Sequence, residues 1–263
     1  MAKIIANDIS INYLLEGNGK TIVFIHGLSD NLNYWEILSS NLNDSYQILR
    51  YDLRAHGDSS DDNENTTIDL YCEDLFCLLK ELNIKKAVLI GLSLGGNIAL
   101  NFTIEHPEMV SGIIIMSSFS QMTPRLEKIF NKFENGINKG FAEFYDTILP
   151  YTLTEDTIER NKEKLDSIKS KASKTANIEG IKKGIEAGYS FNIQDKLNAI
   201  DVPTLVIAGM EDDLTDLATQ KAISDNVKNS ELVVLERTKH NILIGRNIEK
   251  VLEIIKDFML KID

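Results

Sequence analysis

The chain has 263 residues, 43% of them hydrophobic and 26% charged, with a formal net charge of −12. That length suits one large domain, or a domain carrying an insertion, with a substantial core. A surface this acidic repels nucleic acid and anionic membranes, so neither is expected as a partner. No apolar run reaches the roughly 20 residues that a bilayer span needs. The N-terminal Met-Ala-Lys-Ile-Ile-Ala-Asn-Asp lacks the apolar stretch of a signal peptide, so a cytoplasmic location is expected.

In chain order, residues 9–14 read as a strand with a partner at 3–6, and 21–25 as a buried strand. A helix is expected at 33–42, a strand at 47–51 and a long helix at 68–82. The two cysteines, Cys72 and Cys77, fall in that last helix on different faces, which argues against a disulfide and for free thiols. A strand at 87–90 precedes a helix at 95–105, and another strand follows at 110–116. The remaining expected elements are strands at 204–208 and 231–235 and helices at 216–227 and 247–260. Short apolar strands alternating with helices predict a mostly parallel sheet covered on both faces.

Residues 120–196 break this rhythm. They contain no convincing strand, but helical segments with Phe130, Phe133, Phe141, Phe144 and Tyr145, then a Lys- and Glu-rich stretch. The simplest account is a helical insertion at 120–196 in a core formed by 1–119 and 197–263. Most of its aromatics are expected to be its own core. Gly180, Gly184 and Gly188 should weaken a helix there.

The chemistry is concentrated in Gly91-Leu92-Ser93-Leu94-Gly95-Gly96, between a strand and a helix. G-x-S-x-G in that setting places a serine on a sharp strand-to-helix turn, with the positive end of the helix directed at the site. The alternative, a glycine-rich turn that merely packs tightly, is favoured less because both flanking elements are present. No lysine follows the glycines and the spacing is not G-x-G-x-x-G, so phosphate binding is disfavoured.

A serine hydroxyl needs a base. Of the four histidines, His240 lies in a polar loop after a strand and is the one downstream of a suitable acid. His26, His56 and His106 are expected to do structural work: turn hydrogen bonding, loop packing and helix capping. The orienting carboxylate comes from a loop with four acids, Glu211, Asp212, Asp213 and Asp216, among which spacing does not choose. No motif supplies two closely spaced metal ligands, so neither metal nor cofactor is expected.

These features resemble the α/β-hydrolase superfamily, in its branch of small esterases, enol-lactonases and cofactor-free haloperoxidase-like proteins. The marks are His26-Gly27, Asp52-Leu53-Arg54-Ala55-His56-Gly57-Asp58-Ser59, the Ser93 turn, His106-Pro107-Glu108, Val202–Gly209 and His240. The resemblance implies an eight-stranded, mostly parallel sheet with helices on both faces and a helical cap. It implies Ser93 as nucleophile, His240 as base and Asp212 as acid, with Asp213 the runner-up. The alternative acid position, after the sixth strand, reads Ser117-Ser118-Phe119-Ser120 and holds no carboxylate. The backbone N–H groups of Leu28 and Leu94 would form the oxyanion hole. Where the family commonly has glycine, this chain has Ala55.

The expected reaction is hydrolysis of a small carboxylic ester or lactone through an acyl-enzyme on Ser93. Competing readings keep the triad for perhydrolysis, acyl transfer, or thioester or carbon–carbon cleavage, or make the protein a slow-turnover ligand binder. A dehalogenase is disfavoured because its nucleophile position would carry Asp.

Overall fold

The computed structural model describes residues 1–61, 65–243 and 247–262. Strands β1 (Ala2–Ala6), β2 (Ile9–Glu16), β3 (Thr21–Ile25) and β4 (Gln47–Tyr51) open the chain, with α1 (Glu36–Ser40) between the last two. Then come α2 (Ile68–Glu81), β5 (Ala87–Leu92), α3 (Leu94–Glu105) and β6 (Val110–Met116). Five helices follow: α4 (Pro124–Lys139), α5 (Phe141–Thr152), α6 (Glu155–Arg160), α7 (Lys162–Thr175) and α8 (Ile178–Tyr189). The chain closes with β7 (Thr204–Gly209), α9 (Leu217–Asn226), β8 (Ser230–Leu235) and α10 (Ile248–Lys261).

The eight strands form one sheet in the order β1-β2-β4-β3-β5-β6-β7-β8. β1 and β2 are antiparallel to each other and β2 is antiparallel to β4; all other pairs are parallel. The central strands are uniformly apolar because both faces are covered. Along β3 and β5, Val23, Ile25, Ala87 and Leu89 join one core cluster, whereas Ile22, Phe24, Val88, Ile90 and Leu92 join the other. The strand period of two distributes the side chains between two layers of helices.

The helix α2 starts at Thr67, whose hydroxyl accepts a hydrogen bond from Leu70 N at 3.1 Å. Its buried face, Ile68, Tyr71, Cys72, Leu75, Leu78 and Leu79, has helical spacing. Cys72 is buried and Cys77 partly exposed, and both are free thiols as expected.

The expected helix at 33–42 is a 3₁₀ turn, Leu32–Trp35, followed by the short α1. Local polar bonds divert its start: Asn31 Oδ1 accepts from Asn33 N, and Leu32 N donates to Asp52 Oδ1 at 2.7 Å. Trp35 is fully buried and stacks on Phe24, so it is core.

The glycines of α8 also depart from expectation. Gly180, Gly184 and Gly188 lie inside the helix, one turn apart, on its packing face. A Cβ at Gly180 would sit 2.0 Å from the Ala55 carbonyl oxygen, and one at Gly184 would sit 2.6 Å from Leu28 Cδ1. The cost of glycine in a helix is offset by close approach to the loops after β3 and β4. Ala55 itself has φ 60°, which explains why glycine suits that position.

Among the described residues, no helix is long and apolar enough to cross a membrane.

Candidate active site

Ser93 stands between the end of β5 and the first residue of α3, with φ 52° and ψ −114°. That backbone region is unfavourable for any side chain and persists only where the surroundings impose it. Here they do so from several directions. Ser93 N donates to Met116 O at 2.9 Å, while Ser93 O accepts from Gly96 N at 2.8 Å and from Ser118 Oγ at 2.8 Å. The flanking glycines allow the tight passage: a Cβ at Gly91 would lie 2.2 Å from Gly95 O, and one at Gly95 would lie 2.1 Å from Ile25 O. The serine side chain therefore has a fixed origin, and Ser93 lines a cavity.

Asp212 and His240 come from the loops after β7 and β8, neighbouring parallel strands. Asp212 is buried. Its Oδ1 accepts from Leu214 N and Thr215 N at 2.8 and 3.0 Å, a local turn that holds the carboxylate still. Its Oδ2 lies 3.0 Å from His240 Nδ1 and accepts from Thr215 Oγ1 at 2.9 Å. With Nδ1–H directed at the carboxylate, Nε2 is left as the acceptor. His240 Nε2 is buried and has no hydrogen-bond partner among the described residues. Asp213 points elsewhere, to Lys239 Nζ at 2.9 Å, and is mostly exposed. Thus Asp212, and not Asp213, is the carboxylate on His240.

Ser93, His240, Leu28 and Leu94 all line one cavity of about 500 Å³. Among the described residues, neither the Leu28 nor the Leu94 N–H has an acceptor. Leu94 opens α3 directly after the serine, and a Cβ at Gly27, the neighbour of Leu28, would lie 3.6 Å from Ser93 Cβ, so both main-chain donors belong to backbone beside it. Phe130, Phe133, Phe141, Phe144 and Tyr145 line the same cavity. This corrects the expectation that most of them serve only the helical segment's own core. They do both: Phe144 is fully buried and meets Phe133 edge-on at 6.2 Å.

The other histidines are structural, as expected. His26 Nδ1 bonds to Gly27 O at 2.8 Å, and its Nε2 accepts from Leu53 N at 3.0 Å. Burial, aided by the nearby His56 ring, pushes its pKa down to about 3. A ring kept neutral well below its ordinary range ties the turn carrying Leu28 to the loop after β4. His56 Nδ1 bonds to Arg54 O at 2.9 Å. His106 ends α3 and stacks on Phe76 at 4.5 Å.

Four cavity residues escaped the sequence reading. Thr215 contacts both Asp212 Oδ2 and His240 Nδ1, and its offset of three from Asp212 was the available signal. Tyr34 donates to Asn241 Oδ1 at 2.7 Å. Asp30 lines the cavity beside them; burial pushes its pKa up to about 7, and the His240 ring partly opposes this. No local pattern marks Asp30 or Tyr34, because the fold brings them to the serine. Among the described residues, no group of three or more His, Cys, Asp or Glu side chains is placed to hold a metal ion.

The doubly covered sheet, the strained serine turn after β5 and the Asp–His pair after β7 and β8 define a class of protein. The chain belongs to the α/β-hydrolase fold family, whose model matches residues 20–246. Among curated relatives it is similar to 3-oxoadipate enol-lactonase 2 of Acinetobacter baylyi, with 26% identity over 88% of this chain and 86% of the relative. Its fold matches the enol-lactonase from Burkholderia xenovorans LB400 with a TM-score of 0.89 at 23% identity, covering 98% of this chain and 100% of the other. Est816, described as degrading N-acyl homoserine lactones, matches with a TM-score of 0.82 and 27% identity, covering 98% and 100%.

Proposed function

We propose that the protein is a serine hydrolase that cleaves a carboxylic ester or lactone. The observation that carries this reading is the buried Asp212–His240 pair: His240, whose Nε2 has no partner among the described residues, lines the same cavity as the strained Ser93. In the proposed reaction, His240 Nε2 takes the Ser93 proton as Oγ attacks the carbonyl carbon. The oxyanion is received by the Leu28 and Leu94 N–H groups, an arrangement of the kind worth about 3–4 kcal/mol per donor. The tetrahedral intermediate collapses, His240 passes its proton to the leaving oxygen, and water then releases the acid by the same steps. The helices α4–α8 act as a cap that shapes the acyl site. The name of the enol-lactonase from Acinetobacter baylyi, 26% identical over 88% of this chain, favours a C–O bond over a thioester or C–C bond.

The test is intact mass after incubation with a fluorophosphonate, with peptide mapping. A single adduct on Ser93, absent in Ser93→Ala and in His240→Ala, is the expected result. No adduct on folded protein would refute the reading and leave a ligand-binding role.

A further inference from the structure

The cavity that Ser93 opens into is apolar over most of its wall and carries a polar pole at Asp30, Tyr34 and Asn241. Its only formal charge among the described lining residues, apart from the titratable His240, is the Asp30 carboxyl. Among the described residues, no lysine or arginine lines it. The nearby cations are engaged outside the wall: Lys239 holds Asp213 and Pro150 O, and Arg125 holds Leu214 O and Asp216. Among the described residues, the Asp30 carboxyl has no hydrogen-bond or ion-pair partner of its own. Tyr34, which is close enough to feel its charge, spends its proton on Asn241. An uncompensated carboxylate at the wall of a partly desolvated space repels any anion placed beside it.

Resting on the serine-hydrolase reading above, we infer that Asp30 is a specificity-determining residue that restricts the enzyme to esters and lactones whose acyl part carries no negative charge. The apolar wall of Phe130, Phe133, Phe144 and Leu149 accepts an alkyl or aryl chain, and among the described lining residues only His240, already paired with Asp212, can carry a positive charge. A carboxylate-bearing lactone, such as an oxoadipate enol-lactone, therefore falls on the excluded side.

The inference is tested with two covalent probes: ethyl 4-nitrophenyl hexylphosphonate, and its analogue whose chain ends in a carboxylate. Ser93 Oγ attacks phosphorus, 4-nitrophenolate leaves, and the serine proton passes to His240. Rates of adduct formation are read by intact mass at pH 8.5, where Asp30 is ionised. The neutral probe should label Ser93 about 30-fold faster, because like-charge repulsion is capped by protonation of Asp30 itself, whose pKa near 7 lies about 1.5 units below the assay pH. In Asp30→Asn, with an unchanged thermal midpoint, the ratio should narrow to within about fivefold. Asp30→Ser should narrow it similarly if the amide perturbs folding. Equal labelling by both probes in the wild type, or an unchanged ratio in both variants, would overturn the assignment of Asp30 and leave the nucleophile standing. No adduct with either probe would instead overturn the hydrolase reading, and this inference with it.

Discussion

Replacing Asp212 by asparagine preserves the shape of the acid loop while reversing the polarity of one atom. The retained Oδ1 still accepts from Leu214 N and Thr215 N, at 2.8 and 3.0 Å in the native protein. The new amide then faces His240 Nδ1, where the carboxylate Oδ2 stood at 3.0 Å. Two donors cannot share that bond, so the imidazole must switch tautomer, with Nδ1 accepting and Nε2 protonated. Nε2 is the atom without a partner, and once protonated it cannot take the Ser93 proton. The loss of kcat/KM should be about 10³–10⁴, or about 4–5.5 kcal/mol of transition-state stabilisation. Asp213→Asn removes only an exposed pair with Lys239 and should cost less than about threefold. The assay is hydrolysis of a neutral short-chain 4-nitrophenyl ester, with thermal melts to show that both variants are folded. Equal losses in the two variants, or a larger loss in Asp213→Asn, would refute the tautomer argument.

Three further outcomes follow from the same geometry. Ser93→Gly should abolish ester hydrolysis yet raise stability by about 1 kcal/mol, because glycine accepts φ 52° and ψ −114° without strain; a lowered urea midpoint would refute this. Gly180→Ala drives a methyl against the Ala55 carbonyl, 2.0 Å away, and should destabilise by about 1–3 kcal/mol in denaturant titration, although alanine is the better helix former. His26 resists protonation when folded, its pKa lying near 3 against an ordinary 6.5, whereas the unfolded chain takes up that proton. Its contribution is therefore present above pH 6.5 and is lost as pH falls from there towards 3. Wild type should lose more stability than His26→Asn between pH 7 and 4.5, and parallel losses would contradict the assignment.

The fold was legible where each residue's environment is set by its neighbours in sequence. All eight strands and the helices that flank them follow from runs of apolar residues with turn signals between them, and, apart from the shortened α1, bounds differ by a residue or two. Ser93 was legible because the elbow is local: its glycines, strand and helix lie within a few residues. His240 and the acidic loop were legible as loops after parallel strands, but the choice of Asp212 from spacing alone was not. It is made by Thr215 and the turn it closes. The glycines of α8 misled because their helical cost is visible in the chain, whereas their gain lies against Ala55 and Leu28, more than a hundred residues away. Asp30 was invisible for the same reason, since only the fold brings it to the cavity wall that Ser93 and His240 share.

The five helices between β6 and β7 do more than enclose space. Arg125, in the first turn of α4, donates to Leu214 O at 3.0 Å and also to Asp213 O, so it grips the loop that carries Asp212. At the other end of the α4–α5 pair, Tyr151 O and Thr152 O accept from His240 N and Asn241 N at 3.4 and 3.1 Å. Lys239 Nζ adds a bond to Pro150 O at 2.8 Å. One helical hairpin thus braces both loops whose side chains must meet at 3.0 Å, while its inner face supplies Phe130, Phe133 and Phe144 to the cavity. Aromatic residues of the cavity wall and the groups that brace the Asp212 and His240 loops are thus on the same element. A substitution inside this hairpin can then alter selectivity and turnover together, even far from Ser93, because a small misplacement of either loop reaches the reacting atoms.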